Sequence, residues 1–345
     1  MTALLSLRGV KFDYRTRAGT VRALNGISFD VERGEALGLV GESGCGKTTV
    51  ARAVLRLLPA NASIPEGEVF FRGRNLLAMS PEELRAVRWR DIALVTQSAM
   101  NSLDPVYRVR SQIVEAIQLH EKCSTGDARR RAERLFDLVG LKQEWIDRYP
   151  HEFSGGMRQR AIIAMALALD PALIVADEPT TALDVIMQEQ VFDELNRVRR
   201  DKGIALILIT HDIAVVAENC DRVAVMYAGE VVELASTASL FAEPMHPYTI
   251  ALCNSFPSME SGNRELVSIA GAPPDLAAPP AGCRFAPRCP FAQPRCRAEV
   301  PVLRALAIGH SVACHFAEQA AAFRESGRLG STWERAESAR AAQAR

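Results

Sequence analysis

The sequence predicts an α/β nucleotide-binding fold with a helix-rich insertion, and three stretches carry that expectation. Gly41-Glu42-Ser43-Gly44-Cys45-Gly46-Lys47-Thr48-Thr49 fits the phosphate-loop pattern G-x-x-x-x-G-K-[ST] and lies between an apolar run at 36–40 and a helical run at 50–55. Leu173-Ile174-Val175-Ala176-Asp177-Glu178 reads as a strand buried on both faces that ends in two carboxylates. Ile204-Ala205-Leu206-Ile207-Leu208-Ile209-Thr210 reads as another, ending at His211. Ligands sit at the carboxyl ends of parallel strands, so these ends are where a nucleotide is expected.

In chain order, residues 4–35 alternate as strands and turns, most clearly in Val21-Arg22-Ala23-Leu24 and Ile27-Ser28-Phe29-Asp30-Val31. Tyr14 is the candidate platform for a nucleotide base; the other reading is a half-buried strand aromatic. In the phosphate loop, glycines let successive backbone N–H groups turn inward around phosphate oxygens, and the following helix aims its positive end at the same point. Gly41, Ser43, Gly44, Cys45, Gly46, Lys47, Thr48 and Thr49 are therefore the candidate phosphate contacts. Lys47 is expected to reach the terminal phosphates and Thr48 to offer its hydroxyl to Mg²⁺.

Beyond the loop helix, Gly67-Glu68-Val69-Phe70-Phe71 reads as a strand, and Ser80-Pro81-Glu82-Glu83 as a capped helix start. Ile92-Ala93-Leu94-Val95-Thr96-Gln97 reads as a strand ending on an amide, after which residues 98–169 are helical in pattern. Within that insertion, Phe153-Ser154-Gly155-Gly156-Met157-Arg158-Gln159-Arg160 opens a helix with two glycines, a second anion-binding N-terminus. One chain cannot easily bring both glycine motifs to one nucleotide. The economical expectation is a dimer in which each chain's second motif closes over the other chain's ATP.

Asp177 suits Mg²⁺ coordination, directly or through water, and Glu178 suits polarising the attacking water. His211 is placed for a contact to the γ-phosphate. Thr181-Ala182-Leu183-Asp184 forms a turn before an amphipathic helix carrying Val191, Leu195 and Val198. Residues 222–235 read as a hairpin around Ala228-Gly229, and Pro244-Met245-His246-Pro247-Tyr248-Thr249 opens a further helix. From about Phe256 the composition shifts to Pro and Gly, which marks a boundary. From about Gln319 it predicts weak helix or disorder.

Composition narrows the class. The chain has 345 residues, 48% hydrophobic and 24% charged, with 41 basic side chains against 41 acidic, so there is no whole-molecule attraction to nucleic acid or anionic lipid. No run is long and apolar enough to span a bilayer, and residues 1–6 lack the blocks of a secretion signal. Any membrane connection is expected to go through a partner. Of the eight cysteines, Cys45, Cys123, Cys220 and Cys253 are scattered, and the default for them is a small buried side chain. Cys283, Cys289, Cys296 and Cys314 instead crowd into about thirty residues stiffened by Pro287, Pro290 and Pro294, in a segment too poor in apolar residues to fold alone. They read as ligands of one iron–sulfur cluster, with His315 as a possible stand-in. Zinc, for which the spacing is wider than the usual C-x₂-C, and no metal are the alternatives.

The order of these motifs resembles the ATP-binding subunit of an ABC transporter from about residue 4 to about 318. The resemblance implies a RecA-like core with an antiparallel β subdomain and an α-helical subdomain at about 98–169, all within 1–255, then a small cysteine-containing extension at 256–318 and a weakly ordered tail at 319–345. It makes 41–48 the Walker A loop, Gln97 the Q-loop glutamine that approaches Mg²⁺ or the attacking water, and 154–159 the signature. Asp177 and Glu178 match Walker B with its catalytic glutamate, Asp184 the D-loop and His211 the switch histidine. Phe153 and Met157 depart from the commoner Leu-Ser-Gly-Gly-Gln, but the working atoms are the Ser154 hydroxyl and backbone N–H groups. Met100-Asn101-Ser102-Leu103-Asp104-Pro105, His246-Pro247-Tyr248-Thr249 and Gly282-Cys283-Arg284-Phe285-Ala286-Pro287-Arg288-Cys289-Pro290 resemble the dipeptide/oligopeptide and nickel permease branch.

That branch implies ATP and Mg²⁺ as ligands and associates the cysteines with a 4Fe-4S cluster. It further implies a peripheral motor on the cytoplasmic face of a bacterial membrane, two transmembrane permease subunits, a second ATPase subunit and an extracytoplasmic peptide-binding protein, with no nucleic-acid partner. The segment from Met100 to Tyr107 is the expected coupling surface to the permease. Import of nickel or another small solute, and a soluble ABC ATPase acting on ribosomes or DNA, are the rival readings; the latter kinds usually carry two cassettes or a long coiled coil, which this chain lacks.

Overall fold

A computed structural model describes residues 3–17, 19–96, 102–180, 183–255 and 267–334. Its strands are β1 (Leu5–Thr16), β2 (Gly19–Val31), β3 (Ala36–Val40), β4 (Ala62–Phe71), β5 (Arg74–Asn75), β6 (Ile92–Val95), β7 (Leu173–Asp177), β8 (Ala205–Thr210), β9 (Arg222–Tyr227), β10 (Glu230–Ser236), β11 (Arg304–Ala307) and β12 (His310–Val312). Its helices are α1 (Lys47–Val54), α2 (Pro81–Val87), α3 (Val109–His120), α4 (Thr125–Leu138), α5 (Gly155–Ala166), α6 (Val185–Lys202), α7 (Ile213–Asn219), α8 (Thr237–Ala242), α9 (Pro247–Asn254), α10 (Pro294–Ala298) and α11 (Ala320–Gly327). Internal contacts divide the chain into two compact units: residues 1–5, 30–36 and 70–209, and residues 6–29, 37–69 and 210–345.

In the first unit, β6, β7 and β8 run parallel, with Val95 opposite Ala176 and Asp177 opposite Ile209. Every residue of β7 and β8 is buried, which is why both read as continuous apolar runs rather than as alternations. Ile163 and Ala166 of α5 and Val191, Phe192 and Leu195 of α6 close over Val95, Ile174 and Ala176. The start of α2 is the expected capping box: Ser80 Oγ accepts from the Glu83 N–H at 3.2 Å and Glu83 Oε2 from the Ser80 N–H at 2.9 Å. In the helical insertion, Arg110 on α3 bonds Glu133 on α4 at 2.5 Å and Asp147 at 2.8 Å, so one guanidinium holds three segments.

In the second unit, β3 pairs parallel with β9, whose hairpin partner β10 pairs with β12, and β12 with β11. The C-terminal extension therefore continues a sheet begun by the strand that leads into the phosphate loop. Beside it lie β2, β1 and β4 in that order; β4 begins at Ala62, earlier than its apolar residues indicate. Residues 320–334 are packed, contrary to the weak helix or disorder expected from their composition. Phe323 of α11 stacks on Phe291 with centroids 4.4 Å apart, and Trp333, 2% exposed, donates Nε1–H to the Gly327 carbonyl at 3.0 Å. Two aromatics suffice to anchor it, because each buries a large apolar area.

Candidate functional site

The phosphate loop in the second unit has the geometry its glycines foretell. Gly41 sits at φ 152, where an added Cβ would lie 2.1 Å from the Met226 carbonyl oxygen; Gly46, at φ 106, caps α1, and its Cβ would meet the Ala23 carbonyl oxygen at 2.7 Å. Both positions exclude any side chain by backbone contact as well as by conformation. Lys47, 6% exposed, folds its ammonium into the loop and donates to the carbonyls of Gly41 at 2.7 Å and Glu42 at 3.0 Å. Cys45 is buried with its thiol 3.9 Å from that ammonium, and burial pushes the thiol's pKa up. Ser43 and Gly44 are exposed at the loop tip, Thr48 is half-buried and Thr49 is buried.

Tyr14, half-buried, packs on Phe12 with centroids 5.0 Å apart and accepts a hydrogen bond from Arg52 of α1 at 2.9 Å, so the candidate base platform is tied to the phosphate-loop helix. His211 follows β8 and is exposed, and Asp212 then caps α7 through a 2.8 Å bond from the Ala214 N–H.

The first unit carries the carboxylates. Asp177 ends β7 and is 4% exposed, and Glu178 follows at φ 48, its N–H bonded to the Ile209 carbonyl at 2.8 Å. A left-handed turn at a non-glycine residue costs free energy and fixes the direction in which the side chain leaves the strand. Ser154 caps α5, its Oγ accepting from the Met157 N–H at 3.3 Å; Gly155 and Gly156 form the first turn of that helix. Asp184 is exposed and caps α6 by accepting from the Met187 N–H at 2.9 Å. Gln97, Met100 and Asn101 lie outside the described residues, as do Thr181 and Ala182 of the expected turn before α6. Of the described residues of the proposed coupling segment, Leu103 is buried at 3% exposure, whereas Ser102, Asp104 and Pro105 are exposed, as are Val106 and Tyr107 at 70% and 59%, so the segment can meet a partner through these residues but not through Leu103. A cleft of about 600 Å³ runs beside them, lined by Trp89, Asp104, Tyr107, Gln112, Leu119 and His120.

Cys283, Cys289, Cys296 and Cys314, all free thiols, line one cavity of about 20 Å³ with His315. His315 Nε2 is 2.9 Å from the Glu299 carbonyl. Burial pushes the thiols of Cys283 and Cys314 up to about 12 and about 11, and that of Cys289 well above its ordinary value, with mutual repulsion adding to each. Among the described residues no three His, Cys, Asp or Glu side chains converge closely enough to hold a single metal ion.

Sequence reasoning missed two arginines flanking these cysteines. Arg288, beside Cys289, bonds Glu42 in the phosphate loop at 2.7 Å; Arg284, beside Cys283, pairs with Glu230 at 3.1 Å. The doublets Cys-Arg and Arg-Cys were the available signal, but nothing in them names a partner some 240 residues upstream.

The ABC transporter family model matches residues 24–181, and the model for the oligopeptide/dipeptide transporter C-terminal region matches residues 232–296. The chain is 49% identical over 315 residues, 90% of its length and 94% of the relative's, to a protein of Sinorhizobium fredii named "Probable peptide ABC transporter ATP-binding protein". It is 41% identical to the dipeptide transport ATP-binding protein DppD of Bacillus subtilis over 93% of this chain and 97% of that one. Among solved structures it resembles a dimeric ATP-binding cassette in a post-hydrolysis state bound to ADP and Pi, with a TM-score of 0.62 and 27% identity over 68% of this chain and 98% of that one.

Proposed function

Since the chain belongs to the ATP-binding proteins of ABC transporters, in the branch with an oligopeptide/dipeptide C-terminal region, we propose that it is the ATP-hydrolysing motor of a dipeptide or oligopeptide importer. The observation that carries this reading is the phosphate loop, where a buried lysine is held ready by two backbone carbonyls at a glycine-capped helix start. An arriving triphosphate would exchange those carbonyls for its terminal oxygens on Lys47, with loop N–H groups and the α1 terminus around it. Tyr14 would stack on the base. Thr48 and Asp177, with Gln97, would hold Mg²⁺, which supplies charge neutralisation on the phosphates. Glu178 would polarise the attacking water, and His211 would bind the γ-phosphate.

A second ATPase subunit, identical or paralogous, would present its Ser154, Gly155, Gly156 and Asp184 to this chain's nucleotide. Shifting such a pair from mostly open to mostly closed takes about 5 kcal/mol of differential binding. Contacts to the γ-phosphate from both chains exist only when closed and can supply it. No helix among the described residues is long and apolar enough to cross a membrane, so the reading places the chain peripherally on the cytoplasmic face, with two permease subunits engaging the cleft beside Val106 and Tyr107. An external peptide-binding protein would deliver the cargo. Cys283, Cys289, Cys296 and Cys314 would be the thiolate ligands of a 4Fe-4S cluster, which would supply cross-links between the parts of the chain that carry them.

Glu178→Gln, purified with its permease, tests the reading. It should keep ATP binding, lose roughly 10²–10⁴-fold in turnover and accumulate as a closed dimer. Near-normal turnover would remove Glu178 from the mechanism, and failure of peptide-loaded binding protein to stimulate the wild type would remove peptides from it.

A further inference from the structure

A carboxylate one residue into a phosphate-binding loop is a liability, because it sets a negative charge beside a site whose ligand is itself strongly anionic. In this chain that residue is Glu42, and it is held at three points. Its N–H donates to Tyr248 Oη at 3.0 Å, its carbonyl accepts from Lys47 Nζ at 3.0 Å, and its Oε2 accepts from Arg288 Nη1 at 2.7 Å. Glu42 therefore both carries a negative charge within the loop and forms part of the seat of the phosphate-reaching lysine.

Arg288 is a rigid partner rather than a swinging surface cation. Its side chain is 4% exposed against 25% for Glu42. Nε donates to the Ala270 carbonyl at 3.1 Å, Nη2 to the Ile269 carbonyl at 3.0 Å and Nη1 also to Tyr227 Oη at 3.2 Å, with the guanidinium 5.7 Å from the Tyr227 ring centroid. Arg284 works on the other end of the same loop. It pairs with Glu230 and donates to the Ala228 carbonyl, and the next residue, Gly229, donates its N–H to the Cys45 carbonyl at 2.9 Å. The segment that bears Cys283 and Cys289 thus holds the phosphate loop directly at Glu42 and, through Ala228-Gly229, indirectly at Cys45.

We propose that Arg288 is a positioning residue for nucleotide binding: by neutralising Glu42 and fixing the carbonyl seat of Lys47, it makes the cysteine-bearing segment set the affinity of the phosphate loop for ATP. The proposal rests on the ATPase reading and goes beyond it. The extension becomes part of the nucleotide site's scaffold, acting through charge and not through contact with the ligand.

The test is a thermodynamic cycle on the full-length chain, reading the Kd of a fluorescent ATP analogue and the KM and kcat for ATP. Arg288→Ala should raise Kd and KM at least about tenfold, with kcat at saturating ATP changed far less. In a Glu42→Gln background, removing Arg288 should change Kd by no more than about threefold, because no carboxylate is left uncompensated. A merely structural role predicts the same loss in both backgrounds. Arg288→Gln, which keeps a polar side chain without the charge, repeats the measurement should the alanine variant fail to fold. Unchanged affinity in a folded Arg288 variant, or a double variant as weak as Arg288→Ala, overturns the proposal. Absence of ATP binding by the wild type, or its survival in Lys47→Ala, would instead overturn the ATPase reading.

Discussion

The two glycine-rich helix starts, at Gly46 and at Gly155-Gly156, look alike in sequence and are built for different reasons. The first is demanded by its own chain: Gly41 and Gly46 have positive φ, and a Cβ at either would strike backbone of the same unit at 2.1 and 2.7 Å. The second is not. Gly155 and Gly156 are ordinary helical residues, and a Cβ at Gly156 would overlap only the terminal methyl of Met187, the far end of a flexible side chain. A glycine that costs helix stability without a backbone reason within its own chain points to something that must approach from outside. On the reading proposed above, that something is the nucleotide of a second ATPase subunit.

The comparison can be broken first where it is strongest. Gly41→Ala should destabilise the fold by at least about 3 kcal/mol and abolish nucleotide binding, since backbone must move to admit the methyl; chemical denaturation and nucleotide titration of the same sample would measure both. A Gly41→Ala protein of normal stability would mean that the first motif is no more constrained than the second.

The next largest effect concerns the frame behind the first motif. His246 is fully buried, its Nδ1 accepts from the Tyr248 N–H at 3.0 Å, and burial depresses its pKa to about 4. A base whose folded pKa lies below its unfolded value of about 6.5 favours folding while neutral, so its contribution is fully present above about pH 6.5 and is lost as pH falls towards 4. That loss amounts to about 3 kcal/mol, read as a falling melting temperature between pH 7 and 4. His246→Asn, which retains an acceptor but cannot titrate, should flatten the slope; an unaltered slope assigns it to other groups.

Smaller still is the base platform. Tyr14→Ala should weaken ATP binding by about 1–3 kcal/mol, whereas Tyr14→Phe, which loses only the bond from Arg52, should stay close to wild type in the same titration. Equal losses in the two variants would make the Arg52 link, not stacking, the reason for the tyrosine. Smallest in its effect on the fold is Gly156→Ala. Stability should change by less than about 1 kcal/mol, with alanine favouring the helix, and the isolated chain should bind ATP as before. Only ATP-driven dimerisation and turnover should fall, which sedimentation of a Glu178→Gln background would reveal. Loss of ATP binding by the monomer would show that the two motifs are not separable.

The sequence by itself determined the phosphate loop, the strand that ends at Asp177, the helix starts at Ser80 and Ser154, and the gathering of four cysteines. These are local signals: a glycine pattern, a continuous apolar run, a capping residue, a cluster within about thirty positions. Tertiary structure alone decided that β12 pairs with β10, that Phe323 and Trp333 anchor residues 320–334, that Leu103 faces inward while Val106 and Tyr107 face out, and that Arg288 reaches Glu42. Each is a contact between residues distant in the chain, or depends on the one aromatic that finds a partner. Composition averages over such choices, because the free energy of a charge pair or a stacked ring depends on where the fold brings its two halves together, and no spacing within a single segment encodes that meeting.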